Sequence, residues 1–243
     1  MSKQPHINTT AGQIAKHVIV CGEPDRVNRI AAFLDNAELI ADNREYRVIN
    51  GFYHNQMVTV CSTGIGAPSA IIALEELNNC GAKFIVRVGS AGALQADIGL
   101  GDLIIAEAAV RDEGGSKAYV DAQFPAYASH RLVAGLEASI VQQAYPAHSG
   151  MVRSHDSFYT DDEDKICQYW SEKGVLGADM ETSALFTVGK LRGLQVAAVL
   201  NNVVLYQQDV KDGVNQYISA DEVMLKGERA GIKAALHALS LQI

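Results

Sequence analysis

Phe84–Ala93 reads FIVRVGSAGA. Its first half, Phe84–Val88, is aromatic and β-branched and nearly continuous in hydrophobicity, the signature of a strand covered on both faces. Four other stretches share that character: Val18–Cys21, Met57–Cys61, Leu103–Val110 and Val196–Val204. Helical patterns lie between them. Pro68–Asn79 puts Ile71, Leu74 and Leu77 on one stripe, Met180–Leu191 does the same with Leu185, Val188 and Leu191, and Ala220–Leu241 reads as a long amphipathic helix. Strands alternating with helices predict an α/β fold with a mixed central sheet flanked by helices. No linker-like composition break and no internal repeat divides residues 1–243, so one domain is expected.

The composition agrees: 48% of the 243 residues are hydrophobic and 20% charged, the balance of a folded chain with a large core. A net charge of -8 repels nucleic acid and anionic membranes, so neither is an expected partner and any anion site must be small and local. No run of apolar residues is long enough to span a bilayer, and MSKQPHINTTAGQ lacks the apolar core of a signal peptide, so a cytoplasmic location is expected. The four cysteines, Cys21, Cys61, Cys80 and Cys167, are widely spaced with no C-x-x-C pair. Buried thiols fit better than ligands or disulfides. The polar stretches Asp112–Gln123 and Gln207–Gln216 read as loops of the kind that border active sites.

Three stretches can carry chemistry. In VCGEPDR, Val20–Arg26, a buried strand runs into Gly22 and then into the start of a helix. Gly22 allows close backbone approach, the helix start offers free N–H groups, and Arg26 adds charge, although an ordinary strand-to-helix turn has the same look. In FIVRVGSAGA, Arg87 stands in an apolar strand and needs an anion or a carboxylate beside it, with Ser90 on a small-residue turn able to donate to the same anion. In GADMETS, Gly177–Ser183, Glu181 is either a carboxylate in the first turn of a helix or a rigid acceptor for two vicinal sugar hydroxyls, against which Met180 would pack.

These stretches, with PHI at Pro5, NREY at Asn43–Tyr46, STGIGAPS at Ser62–Ser69, RVGSAGAL at Arg87–Leu94, AEAAVR, QFP at Gln123–Pro125, DSFY at Asp156–Tyr159 and DMETSALF, resemble the nucleoside phosphorylase-I family over nearly the whole chain. That family holds the uridine phosphorylases and the hexameric bacterial purine nucleoside phosphorylases. The resemblance implies a sheet partly closed as a barrel and a reaction in which a nucleoside and inorganic phosphate give a free base and ribose 1-phosphate. It implies a phosphate site of Gly22, Arg26, Arg87 and Ser90, joined by Arg44 from a neighbouring subunit. For the ribose it implies Met180 and Glu181, with His6 of the neighbour on the 5′-hydroxyl, and Arg87 and Glu181 are the residues expected to carry catalysis. Phe158, Val203 and Val204 fall at the base. Glu45, Ile65 and Ser69 match a monovalent-cation site, structural potassium, at a dimer interface. No cofactor is expected for the chemistry, and a homo-oligomer, a hexamer built as a trimer of dimers, is.

Two departures bear on the base. Val203 and Val204 stand where purine-acting relatives carry an acid for the leaving purine, and an apolar pair cannot donate a proton. Uridine-acting relatives are apolar there too, yet their uracil-reading Gln-x-Arg insertion is missing after Phe158–Tyr159, where this chain has the short loop of the purine branch. Asp179 also replaces a Glu. The expectation is uridine, with amides of Asn202, Gln207 and Gln208 as candidate donors to the base. Purine or methylthioadenosine phosphorolysis, simple hydrolysis, and a non-catalytic nucleoside-binding protein are the alternatives, the second disfavoured by three arginines at a phosphate pocket.

Overall fold

A computed structural model of the chain describes residues 2–208 and 222–242. In chain order the elements are β1 (His17–Cys21), α1 (Pro24–Ala31), β2 (Asp35–Asn43), β3 (Tyr46–Tyr53), β4 (Gln56–Ser62), α2 (Ala67–Cys80), β5 (Phe84–Ala93) and β6 (Leu103–Asp112). A single 3-10 turn at Ser116–Ala118 precedes β7 (Ala126–Tyr127), α3 (His130–Gln142), β8 (Ala147–His155), α4 (Glu163–Ser171), β9 (Gly177–Asp179), α5 (Thr182–Leu191) and β10 (Gln195–Val204). The last helix, Glu222–Ser240, is α6 here.

All ten strands belong to one sheet. β5 is its junction: it runs parallel to β1 on one side and to β10 on the other, and its end pairs antiparallel with β9. β10 also pairs with β6, β6 with β8 and β8 with β9, so β5, β10, β6, β8 and β9 close into a ring. From β5 the strands β1, β4, β3 and β2 continue outward as an open wing. The expected mixed sheet, partly closed as a barrel and flanked by helices, is therefore the observed fold. Among the described residues no helix is long and apolar enough to cross a membrane.

Several boundaries differ from expectation for physical reasons. The strand expected over Phe84–Val88 continues to Ala93, so Ser90 lies on β5 and not on a turn. The small residues that suggest a turn instead clear space inside the barrel: a Cβ on Gly89 would stand 2.6 Å from Leu200 Cδ2 and 2.7 Å from Arg87 Cζ. The helix expected from Met180 begins at Thr182. The hairpin of β2 and β3 gives no apolar run to read, because β2 lies largely exposed at the end of the wing. Of the polar stretch Gln207–Gln216 only Gln207 and Gln208 fall among the described residues, as do all but the first two positions of the helix expected from Ala220. Cys21, Cys61 and Cys80 are buried free thiols, and burial pushes Cys21 up to about 12.

The packing around Gly89 yields a direct test. Gly89→Ala should destabilise the fold by about 1–3 kcal/mol through overpacking against Leu200 and the Arg87 guanidinium. Urea unfolding midpoints measure this, and a variant as stable as the parent would show that the barrel interior yields without cost.

Candidate active site

The carboxyl ends of the parallel strands β1, β4, β5 and β10 lie side by side, the place where open α/β sheets present ligand sites. Each continues into a functional segment. β1 leads through Gly22 into α1, and β4 through Gly64–Gly66 into α2. β9 delivers Asp179, Met180 and Glu181 to the same region by pairing with the end of β5.

Arg87 is the centre. It is 3% exposed, paired in register with Val20 on β1 and Ala198 on β10. Its Nε donates to Asp179 Oδ2 at 3.1 Å and Nη2 to Glu181 Oε2 at 2.6 Å. Its Nη1 is buried with no hydrogen-bond partner, the one such side-chain nitrogen among the described residues. Of the two partners expected for Arg87, carboxylates are the ones observed, on two sides of the guanidinium, and one donor remains unspent. Such an orphan is costly unless a ligand meets it.

Glu181 occupies the position before α5, with φ -136° and ψ -27°, which is why the helix starts one residue later. It is not the first-turn carboxylate that the bland reading supposes: its Oε1 accepts the Gly66 N–H at 2.6 Å and its Oε2 binds Arg87. Asp179 takes over the helix start, accepting from Thr182 N–H at 3.0 Å and Thr182 Oγ1 at 2.6 Å on Oδ2, and from Ser154 Oγ at 2.6 Å on Oδ1. Burial raises the Glu181 pKa, and the Asp179 charge adds to the rise; Arg87 and the Gly66 and Met180 N–H groups act the other way. Met180 is half-buried between the two acids.

Arg26, in the first turn of α1, is buried, with Nε on Glu228 Oε2 at 2.8 Å and Nη1 on the Val88 carbonyl at 3.2 Å. That carbonyl is one residue past Arg87, and both guanidiniums lower the pKa of Cys21, the residue before Gly22, against its burial. A Cβ on Gly22 would find only the Gly64 carbonyl, 3.8 Å away, so nothing in the chain itself demands glycine there. The Ser90 hydroxyl makes no hydrogen bond among the described residues. Arg87 and Glu181 are thus in direct contact and Arg26 reaches the strand residue after Arg87, while Gly22, Ser90 and Met180 lie on the segments that carry them, with no side-chain hydrogen bond to the three among the described residues.

His6 and Arg44 are not part of this cluster: no hydrogen bond or ion pair joins either to Arg26, Arg87 or Glu181 among the described residues. Arg44 is exposed at the tip of the β2–β3 hairpin with φ +55°, and Asn43 beside it donates to the His6 carbonyl at 2.8 Å. Glu45 and Ser69 meet through a 3.0 Å hydrogen bond around Gly64, whose φ of +72° and missing side chain permit the approach, while Ile65 is 77% exposed. The Glu45 backbone N–H, with Ser69, holds that carboxyl below its ordinary pKa. Carboxylate, hydroxyl and carbonyl oxygens are donors of the kind a hard monovalent cation takes.

Of the residues expected at the base, Val203 and Val204 form a small apolar cluster with Met224 of α6. Phe158 is half-buried, its ring edge-on to Tyr159 at 4.9 Å. Asn202 is unavailable to a base: its Nδ2 donates to the Gly99 carbonyl at 2.9 Å and its Oδ1 receives the Val204 N–H at 3.4 Å. Gln208 Oε1 receives the Leu205 N–H at 3.2 Å, and Gln207 is exposed. Sequence reasoning missed four buried residues: Ser154 and Thr182, which donate to Asp179, Glu228, which accepts from Arg26, and Glu113, which accepts from Ser183. The one available signal was charge inside apolar context, as in α6, where Glu228 stands among small residues.

The chain belongs to the Phosphorylase superfamily, whose pattern it matches over residues 16–237. Within it, the crystal structure of uridine phosphorylase from Vibrio fischeri ES114 is 61% identical in sequence with a TM-score of 0.94, covering 100% of this chain and 99% of that one. Guanosine phosphorylase of Halorubrum lacusprofundi is 38% identical over 82% of this chain and 82% of its own length. Uridine phosphorylase of Thermococcus kodakarensis is 38% identical over 81% of this chain and 75% of its own.

The raised Glu181 pKa makes a signed prediction. A carboxyl whose folded pKa exceeds its unfolded one opposes folding once the unfolded form ionises, so its destabilising contribution is absent in acid, grows as pH rises through the ordinary carboxylate range and is complete above the folded pKa. In urea titrations from about pH 4 to about pH 8, Glu181→Gln should gain stability relative to the parent as pH rises. A constant difference across that range would contradict the assignment.

Proposed function

We propose that this chain is a nucleoside phosphorylase that cleaves uridine, with inorganic phosphate as co-substrate, to uracil and ribose 1-phosphate. The observation that carries the reading is the unspent Nη1 of Arg87, a buried donor for an anion directly beside a rigid carboxylate suited to ribose hydroxyls. Arg26, Ser90 and the backbone at Gly22 complete the phosphate side, and Glu181 with Met180 the ribose side. Phosphate held against C1′ attacks as the base departs; positioning and electrostatics lower the barrier to an oxocarbenium-like transition state. Phe158, Val203 and Val204 supply the apolar side of the base pocket. No cofactor enters this scheme.

Charge supports a shared site. Among the described residues, Arg26, Arg29 and Arg87 are paired with four carboxylates, Glu23, Asp179, Glu181 and Glu228, so a further cation would favour a bound phosphate. Arg44, exposed and without an ion pair among the described residues, is the group we propose a second copy brings, together with His6 toward the 5′-hydroxyl. A homo-oligomer follows, read as a hexamer of three dimers, with Glu45, Ile65 and Ser69 of facing copies holding a potassium ion. Free buried thiols fit a reducing, cytoplasmic setting.

A purine nucleoside is the second reading. It is favoured by the guanosine phosphorylase relative and by the short segment after Phe158–Tyr159. Incubating uridine, inosine and guanosine with and without phosphate separates these outcomes: uridine should be cleaved fastest and only with phosphate. Phosphate-independent cleavage means a nucleosidase, and inert substrates mean a binding protein. Arg87→Ala should raise the phosphate KM about tenfold or more, or abolish turnover, since a charge-assisted contact is lost. An unchanged phosphate dependence would remove Arg87 from the site.

A further inference from the structure

One buried carboxylate outside the cluster is aimed at a residue assigned to the neighbouring site. Glu76 lies in α2 and is 6% exposed. Its Oε2 accepts the Ile7 N–H at 2.8 Å and the His6 N–H at 3.0 Å, and its Oε1 stands 2.6 Å from His6 Nδ1. The two N–H bonds would suffice to anchor the segment. The ring contact does something else: a carboxylate only accepts, so Nδ1 must carry hydrogen, and in the neutral ring Nε2 is left as an acceptor. Nε2 makes no hydrogen bond among the described residues, and the side chain is 30% exposed on the rim that also carries Arg44. Tyr46, edge-on with centroids 6.1 Å apart, limits the ring's rotation.

We propose that Glu76 is a positioning residue that fixes the His6 tautomer, so that Nε2 accepts a hydrogen bond from a nucleoside hydroxyl bound in a second copy of this chain. The inference rests on the phosphorylase reading above and names a residue that reading does not need. It also sets a preference: a ligand with a hydroxyl donor at that point is favoured over one without it.

Glu76→Gln is the informative change. The amide oxygen can still take the backbone N–H groups, which turns the NH₂ toward Nδ1 and moves the ring hydrogen to Nε2. In solid-state ¹⁵N spectra of histidine-labelled protein, with His6 assigned by its loss in His6→Ala, the parent should show Nδ1–H and the variant Nε2–H. In kinetics, the preference for uridine over 5′-deoxyuridine in kcat/KM should shrink about tenfold, through the nucleoside KM and not the phosphate KM. His6→Ala should shrink it at least as much, since in Glu76→Gln the hydroxyl oxygen can still accept from Nε2–H, and the double variant should shrink it no further than His6→Ala. Nε2–H in the parent, or equal losses on both substrates, would overturn the proposal. If Glu76→Gln fails to fold, the parent spectrum and the His6→Ala ratio still decide. A parent that cleaves nothing with phosphate would refute the phosphorylase reading instead, and the spectrum would still decide the tautomer.

Discussion

A guanidinium buried in the strand where a closed ring joins an open wing must be surrounded by acceptors, and much of the local architecture is the set of ways this chain supplies them to Arg87. β9 consists of three residues whose pairing with β5 delivers Asp179 beneath the Nε side. Glu181 is drawn out of α5 to reach Nη2, and its second oxygen is held by Gly66 at the start of α2. Gly89 leaves the room that the guanidinium fills. Burial raises the Glu181 pKa despite the ion pair, and the second carboxylate on the same arginine, Asp179, adds to the rise.

The same network extends past the site. Ser154, which donates to Asp179, accepts from the Ser183 N–H at 2.9 Å, and the Ser183 hydroxyl donates to Glu113 Oε1 at 3.0 Å. Glu113 accepts from Ser116 N–H at 2.8 Å, and Arg111 donates to Ser116 Oγ at 2.9 Å and to the carbonyls of Val120, Asp121 and Phe124. The polar stretch Asp112–Gln123 is thereby tied, through buried hydrogen bonds, to the acids that hold Arg87. A loop that looks solvated in sequence is anchored at its base.

How much of this was legible depended on where each residue's partners lie. The apolar strands β1, β4, β5, β6 and β10 announce themselves because burial on two faces leaves a continuous apolar run. β2 does not, since a strand at the exposed end of the wing keeps polar side chains. Arg87 was legible as an anomaly, a cation in an apolar run, while the choice between anion and carboxylate was not, because Asp179 and Glu181 lie 92 and 94 residues away in sequence. Ser90 was misplaced on a turn because glycine and alanine mark turns and tight strand interiors alike. Glu76 sits beside Glu75 in an apolar helix, and sequence offers no way to tell that one of the two acids is buried against a histidine 70 residues earlier.

The base side shows the same dependence on distant partners. Val203 and Val204 read as positions where an acid is missing, a purely local contrast with purine-acting relatives. In the structure they are also the apolar end of β10 on which Met224 of α6 packs, next to a register shift between Asn202 and Val204 against β5. An acid at either position would enter an apolar cluster with no partner, at the cost of an unpaired buried carboxylate. Asn202, the nearest amide, is bound at both ends to the chain around it. The strand end is thus apolar and held by its own hydrogen bonds, so under the proposed placement of the base any group that stabilises its departure would approach from another element. A base that leaves as an anion and accepts hydrogen bonds on its carbonyl oxygens suits such a pocket better than one that must be protonated at this strand, which is the physical ground for placing uridine ahead of purines.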